Sequence, residues 1–331
     1  MAGISPLRKL QLGLETDAGT AVAATSVWRG LFKYTDDRTI EAVAESIGQM
    51  IPKHRQVEVS RQATIELTET PLTFQQFPYV LSAGIEATVS GAADGAGTGK
   101  IYEYNLGVAS PNTPKSYTFR GGDNQRVDII EYGVCTKFTV KGSAREALKL
   151  TATFVGRQCT DGDFTGGISL PAVEEALFGK TVFYIDAAAG TIGSTLKTST
   201  VRGFEYTVET GVFPIWTGDN RLPFTLIGHK TPKITGKLIV AHDATGEAEI
   251  GIARTMATRL LRILTVGSAN TTPGTAYTYK TNQFSAAIQY TGVPELGEMD
   301  EQVTVELPFE VVDADSIIPT WINVHEAAAL V

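Results

Sequence analysis

Alternating apolar and polar positions over residues 131–156, EYGVCTKFTVKGSAREALKLTATFVG, give the clearest structural signal in the chain. One face of each arm is apolar apart from a single threonine. The residues that share this face are Val134, Thr136, Phe138 and Val140 on the first arm and Leu148, Leu150, Ala152 and Phe154 on the second. A period of two predicts a long β-hairpin with one buried and one wetter face. Gly142 and Ser143 are predicted to form its turn.

Further stretches with the same period or with apolar strand composition predict additional strands. These are residues 56–68, 181–186, 199–210, 233–242, 276–282, 284–292 and 302–312. Residues 35–53 are polar and have no clear period. We therefore predict a long loop or extended arm there.

Two short helices are predicted between strands. The first covers residues 70–85, with Thr70 as N-cap and Pro71 at the first helical position. The second covers residues 245–264, where Thr245 is the N-cap candidate and acidic residues precede basic ones, as the helix dipole favours.

The order of these elements occurs twice. In each half a strand leads into a helix, then into a strand–loop–strand ending in SYTFRGG or AYTYKTN, then into a closing hairpin. This predicts a mainly β fold of two tandem, similar β-sandwich or barrel domains, each with one flanking α-helix, over residues 1–170 and 171–331. The linker candidate is DGDFTGGISL at residues 161–170. The alternative is two unrelated β domains that look alike because all strands alternate.

Composition and charge narrow the possible functions. The 331 residues are 43% apolar and carry a net charge of −8, which indicates a globular chain without the basic surface that phosphate binding requires. Residues 1–170 hold 17 basic against 18 acidic residues, and the remaining residues hold 11 against 18. No apolar run approaches the roughly 20 residues of a membrane span. The N-terminus has no apolar signal region, so we expect synthesis in a cytoplasm.

No motif for catalysis, a cofactor or a metal is found. GAADGAGTGK differs from a phosphate-binding loop in spacing and lacks the Ser or Thr after its lysine. The four histidines lie in separate segments. Cys135 and Cys159 are predicted to be free, buried thiols, because the hairpin register keeps them too far apart for a disulfide. The three tryptophans, Trp28, Trp216 and Trp321, are expected at core or interface positions, and a sugar site is the alternative.

The N-terminal LQLGLETDAGTAVAAT, the strand–helix order, the hairpin FTVKGSAREALKLTATF and the second copy together resemble the tail tube (major tail) proteins of long, flexible-tailed bacteriophages. The resemblance implies a structural, non-enzymatic virion protein, made in the host cytoplasm. A two-domain member is expected to form trimeric rings with pseudo-sixfold symmetry that stack into a tube. Implied partners are further copies of itself, the tape-measure protein and the tail terminator. Double-stranded DNA would pass through without sequence-specific binding.

Within that expectation, particular residues can be assigned. Acids on the hairpins, Glu146 and Glu306, are candidates for the lumen wall, where negative charge repels phosphates. Two polar segments are candidates for arms that reach the next ring, and the alternative for each is a mobile surface loop. They are residues 32–55, with Asp36, Asp37, Glu41 and Glu45, and residues 213–233, with Trp216, Asp219 and Arg221. The competing hypothesis is a non-enzymatic β-sandwich binding module, an adhesin or carbohydrate binder, which predicts a monomer with an aromatic cleft.

Overall fold

The computed structural model describes residues 3–50, 55–292, 294–313 and 317–330, and these are mainly antiparallel β-structure. The strands before residue 170 are β1 (Lys9–Leu14), β2 (Ser26–Val27), β3 (Phe32–Val43), β4 (Arg55–Pro71), β5 (Ala92–Ala93), β6 (Lys100–Asn105), β7 (Tyr117–Gly122), β8 (Val127–Ser143), β9 (Lys149–Gly156) and β10 (Cys159–Gly162). The later strands are β11 (Thr181–Ala187), β12 (Val201–Glu209), β13 (Val212–Ile215), β14 (Leu226–His229), β15 (Lys233–Ala241), β16 (Arg259–Ala269), β17 (Tyr279–Tyr290), β18 (Glu295–Met299), β19 (Gln302–Val311) and β20 (Thr320–His325). Helix α1 (Phe77–Gly84) follows β4, and helix α2 (Ala244–Thr255) follows β15. Short 3₁₀ turns lie at Ser5–Leu7 and Phe178–Lys180.

Helix α1 begins later than the sequence predicts. Thr70 does not cap it, because β4 continues through Pro71 and Thr70 pairs with Leu150 in the sheet. The helix starts at Phe77, and Pro78 lies in its first turn, where a missing N–H costs no hydrogen bond. All eight of its residues are buried, so it forms part of the core.

Helix α2 begins one residue earlier than predicted and ends nine residues earlier. Asp243, not Thr245, is the N-cap: its carboxylate accepts hydrogen bonds from the backbone N–H groups of Thr245 and Gly246, both at 2.9 Å. The helix ends at Thr255, and the following residues form β16, where Leu260 and Leu261 are both buried. Neighbouring buried residues break the strand alternation, so the leucine spacing also fitted a helix.

The predicted hairpin of residues 131–156 is present as β8 and β9. Its turn lies two residues beyond the predicted position, since β8 continues through Ser143 and Arg145 adopts a positive φ of 70°. Gly142 is needed inside the strand for a close approach instead. A Cβ there would lie 2.4 Å from the side chain of Leu148 and 2.7 Å from that of Phe204.

A β-bulge in β8 changes which side chains share a face. The register shifts between Cys135 and Lys137, so Cys135 joins Phe138 in the main core. Val134 packs in a separate small cluster that contains Phe224. The prediction of one continuous apolar face was therefore wrong for Val134, because the extra residue of a bulge reverses the alternation.

One antiparallel sheet runs through both halves of the chain. Its strand order is β3–β4–β9–β8–β12–β15–β19–β18. The two halves join where β8 pairs with β12 over residues 137–143 and 203–209, which we call the internal junction. The strand β20 adds a second connection, since it lies between β17 of the second half and β6 of the first.

The same order of strand pairing occurs in each half. It is β1–β7–β8–β9–β4–β3 in the first and β11–β16–β17–β19–β15–β12 in the second. In both halves the helix follows the fifth strand of this order. After the closing hairpin, β10 pairs with β8 and β20 pairs with β17, so this step is repeated too.

Most buried apolar residues of both halves belong to one contiguous cluster, and a smaller cluster around Phe224 lies apart from it. Phe138 of the first half contacts Trp321 of the second, with ring centroids 6.1 Å apart. Part of the predicted linker is ordered by contacts with the first half: β10 extends to Gly162, and Thr165 and Gln11 form two hydrogen bonds with each other. Among the described residues, no helix is long and apolar enough to cross a membrane.

Candidate assembly surface

The two outermost strands of the long sheet each have a partner on one side only, within the part of the chain that the structure describes. Strand β3 pairs with β4, and β18 pairs with β19. We call the free sides of β3 and β18 the open edges. A row of unpaired backbone N–H and C=O groups is a template for pairing with another chain.

The open edges are much more exposed than the strands of the internal junction. Leu296 in β18 is 66% exposed, whereas Val140 in β8 is 1% exposed. On the other side of the junction, Phe204 and Tyr206 of β12 are buried, while Phe32 and Tyr34 of β3 are only partly buried. Apolar residues of a kind that is covered at the internal junction are therefore uncovered at the open edges.

Complementary side chains line the internal junction. Lys141 lies opposite Glu205, and Lys137 lies opposite Glu209. Between these two pairs, the hydroxyl groups of Thr139 and Thr207 are hydrogen-bonded at 2.8 Å. Opposite charges and paired hydroxyls at cross-strand positions each stabilise a sheet modestly.

Ion pairs continue across the solvent side of the long sheet. Lys237 contacts Glu306 at 3.1 Å, and Lys233 contacts Glu310 at 3.4 Å. Lys141 also hydrogen-bonds Glu69, which raises the pKa of the Lys141 ammonium group. These lysines therefore each face a carboxylate, so the positive charge on this side is locally balanced.

The two acids predicted for a lumen wall lie in different settings. Glu306 is on β19, on the solvent side of the sheet. Glu146 lies in the turn between β8 and β9, where it pairs with Lys149 at 3.1 Å. Only Glu306 is therefore on the face of the sheet.

The first predicted arm is a hairpin, not a loop. Asp36, Asp37 and Glu41 lie in β3, which pairs with β4 as far as Val43, and Glu45 follows the strand. Residues 51–54 of this segment lie outside the described residues. The loop prediction failed because neither face of this strand's outer part is buried, so its sequence has no alternation.

The second predicted arm is folded against the first half of its own chain. Trp216, Asp219 and Arg221 lie in the connection between β13 and β14, which form a separate two-stranded sheet. Phe224, just before β14, is fully buried, and Arg157 of the first half donates a hydrogen bond to its carbonyl oxygen. This packing does not fit a free arm.

The described residues contain no group of three or more His, Cys, Asp or Glu side chains that could hold a metal ion. Burial lowers the pKa of His325 to about 4, so this histidine is neutral. Cys135 and Cys159 are free and buried, as predicted. Trp28 and Trp321 are both buried, so neither lines a surface cleft.

Sequence reasoning assigned residues of β3 to an arm and did not identify β18 or the correspondence of β3 to β12, although a signal for that correspondence exists. The sequences FKYT at residues 32–35 of β3 and FEYT at residues 204–207 of β12 differ at one position only. No family model matches the chain, and no curated protein matches its sequence.

Proposed function

We propose that this chain is a structural protein that polymerises into closed, stacked rings, as the tail tube protein of a long-tailed, non-contractile bacteriophage. The observation that carries the proposal is the long sheet itself. One junction between its repeated halves is filled within the chain, while strands that correspond to the two sides of that junction remain open at its ends. A second copy can supply the missing partner at each end.

The repeated pairing order supports two tandem, similar β domains, over residues 1–170 and 171–331. In a ring, such domains alternate, so a trimer has pseudo-sixfold symmetry. The contact between copies is heterologous, because β18 of one chain meets β3 of the next. Heterologous contacts of this kind close into rings when the rotation permits, and closure removes every open edge.

The solvent side of the sheet fits a conduit for double-stranded DNA. Each unpaired Lys or Arg on a wall would add a phosphate contact and hold the DNA. Here Lys33, Lys233 and Lys237 are each paired with a glutamate across a neighbouring strand. A wall with balanced charge lets DNA pass without sequence-specific binding.

In this proposal the protein is part of the virion tail and assembles in the host cytoplasm. Its partners there are its own copies, the tape-measure protein and the tail terminator. The binding-module hypothesis differs in predicting a monomer. The buried positions of Trp28 and Trp321 remove two of the aromatic residues that a sugar-binding cleft would use.

Negative-stain electron microscopy of the purified chain over a concentration series tests the proposal. We expect rings with a central hole, and stacks of them at high concentration. Sedimentation velocity on the same samples gives the mass of the smallest closed species. A chain that stays monomeric at every concentration, and that is absent from virions made by a host carrying its gene, would contradict the proposal.

A further inference from the structure

We infer that β18 of one copy pairs antiparallel with β3 of the next in the register of the internal junction, with Leu296 opposite Tyr34 and Gly297 opposite Lys33. This inference rests on the proposed ring and specifies its contact. It identifies a second copy of this chain as the occupant of both open edges.

Strands β3 and β12 hold corresponding places in the repeated pairing order, next to β4 and β15 respectively. Phe32 pairs with Leu67 of β4, and Phe204 pairs with Leu238 of β15. Two residues further along each strand, Tyr34 and Tyr206 also pair with corresponding positions of β4 and β15. Each phenylalanine is stacked with its tyrosine, with ring centroids 6.5 Å apart in β3 and 6.3 Å apart in β12.

Strand β18 corresponds to β8, because β18 pairs with β19 as β8 pairs with β9. Leu67 pairs with Ala152, and Leu238 pairs with Leu307, so Ala152 and Leu307 are counterparts. Counting back two residues along β9 and β19 makes Leu150 the counterpart of Val305.

The residues opposite this pair give the match for β18. Val140 pairs with Leu150, and Leu296 pairs with Val305. Leu296 is therefore the counterpart of Val140, and Gly297 is the counterpart of Lys141.

The register of the internal junction then gives the register between copies. There Tyr206 lies opposite Val140, and Glu205 lies opposite Lys141. Replacing each residue by its counterpart puts Tyr34 opposite Leu296 and Lys33 opposite Gly297. In the same way, the pair of Thr207 with Thr139 becomes Thr35 opposite Glu295.

The apolar contacts agree with this register. At the internal junction Val140 lines a very small cavity together with the rings of Phe204 and Tyr206. Leu296, which is exposed in the single chain, would be covered in the same way by Phe32 and Tyr34 of the next copy.

The charges agree as well. Lys33 is diagonal to Glu295 across the contact, within reach of a long side chain. Glu298 falls opposite Phe32, and the guanidinium of Arg8 lies 5.2 Å from the centre of that ring. Acids on β18 therefore meet basic groups at the β3 edge.

Pairing of like edges would not cover the exposed leucine. Two β18 strands paired antiparallel about their central residue, Gly297, would put Leu296 of each copy directly opposite Glu298 of the other. Tyr34 of β3 gives Leu296 an aromatic ring as its direct neighbour instead, which favours head-to-tail contacts between β18 and β3 over a twofold dimer through β18.

Four double-cysteine variants test the register. Lys33→Cys with Gly297→Cys and Thr35→Cys with Glu295→Cys join residues expected to lie opposite each other. The crossed controls, Lys33→Cys with Glu295→Cys and Thr35→Cys with Gly297→Cys, use the same four positions but join diagonal neighbours about 7–8 Å apart, which is beyond disulfide reach. A Cβ at Gly297 has nothing closer than the hydroxyl oxygen of Thr304 at 3.4 Å, so the change fits the folded chain.

The samples are oxidised under assembly conditions and separated on non-reducing gels, beside electron micrographs of the same preparations. We expect bands at multiples of the chain mass, ending at the mass of the closed ring, from the two opposite pairs and not from the crossed controls. Mixing two single variants, Lys33→Cys and Gly297→Cys, should give dimers only, whereas neither alone should cross-link.

The outcomes separate this inference from the proposed function. Two outcomes would overturn the register and leave the proposed ring intact. In one, rings form and the crossed controls cross-link as well as the opposite pairs. In the other, rings form and none of the four variants cross-links. Cross-linking of the Lys33→Cys variant with itself would indicate a twofold contact and overturn the inference. Monomers in every micrograph would refute the ring, and the inference with it.

Discussion

Replacing Val140 and Leu296 by alanine, one at a time, should separate folding from assembly. The two residues hold corresponding positions, but Val140 is 1% exposed and Leu296 is 66% exposed in the single chain. Val140→Ala removes two buried methyl groups and leaves a small cavity, so we expect it to lower the free energy of unfolding by about 2 kcal/mol. Leu296→Ala should lower that free energy by only about 0.5 kcal/mol, since most of the side chain is already in water.

Assembly should respond in the opposite order. A fully buried leucine side chain contributes about 1.5–3 kcal/mol. Covering the 66% of Leu296 that is exposed would then contribute about 1–2 kcal/mol at each contact between copies. Leu296→Ala should therefore weaken each contact about 5- to 30-fold. The internal junction is already complete in the single chain, so Val140→Ala should leave this affinity nearly unchanged.

Two measurements on the same preparations check this. Urea unfolding followed by circular dichroism, on dilute chain, gives the stability of each variant. Sedimentation velocity over a concentration series, at a temperature where both variants are folded, gives the midpoint of assembly. Equal destabilisation of the single chain by Leu296→Ala and Val140→Ala would refute this role for Leu296. Assembly of Leu296→Ala at the same concentration as the parent would refute it too.

Two further predictions concern the fold. Phe224→Ala removes a fully buried ring and should lower the free energy of unfolding of this region by about 3–5 kcal/mol. We expect faster amide hydrogen exchange in β13 and β14 than in β12. Uniform exchange across all three strands would argue against a hairpin that unfolds separately. Glu326 accepts hydrogen bonds from the backbone N–H of Thr271 at 2.6 Å and the hydroxyl of Thr98 at 2.7 Å, which lower its pKa from 4.5 to about 2. A lowered pKa in the folded state means that the carboxylate stabilises the fold above about pH 4.5 and that this is lost as the pH falls towards 2. Glu326→Gln should thus flatten the stability profile between these pH values in urea titrations, and an unchanged slope would exclude this role.

Alternation predicted the strands that have one buried face. The hairpin of β8 and β9, and the strands β12, β15 and β19, were found in this way because each packs one side on the core and turns the other towards solvent. Details that depend on single residues were missed. The bulge at Thr136 and the N-cap at Asp243 follow from local backbone geometry, which the spacing of apolar residues does not encode.

The open edges could not be predicted from hydrophobic pattern for a different reason. Strand β18, ELGEM, is exposed along most of its length in the single chain, and its two apolar side chains, Leu296 and Met299, are three residues apart and so do not alternate. In the proposed ring, the neighbour that would bury Leu296 is another copy. The buried face of β18 would therefore form only between two molecules. Its corresponding strand, β8, shows the full pattern because its neighbour β12 is on the same chain.

This difference explains why the repeat matters more than the pattern for locating the contact. A single β domain with an exposed edge gives no indication of its partner, since any edge strand can accept another. Here the chain contains one complete junction and both unmatched sides of a second, and the FKYT and FEYT segments relate the two residue by residue. Leu296 and Tyr34 occupy at the open edges the positions that Val140 and Tyr206 fill at the internal junction. The cross-linking register therefore tests the repeat and the assembly with the same four residues.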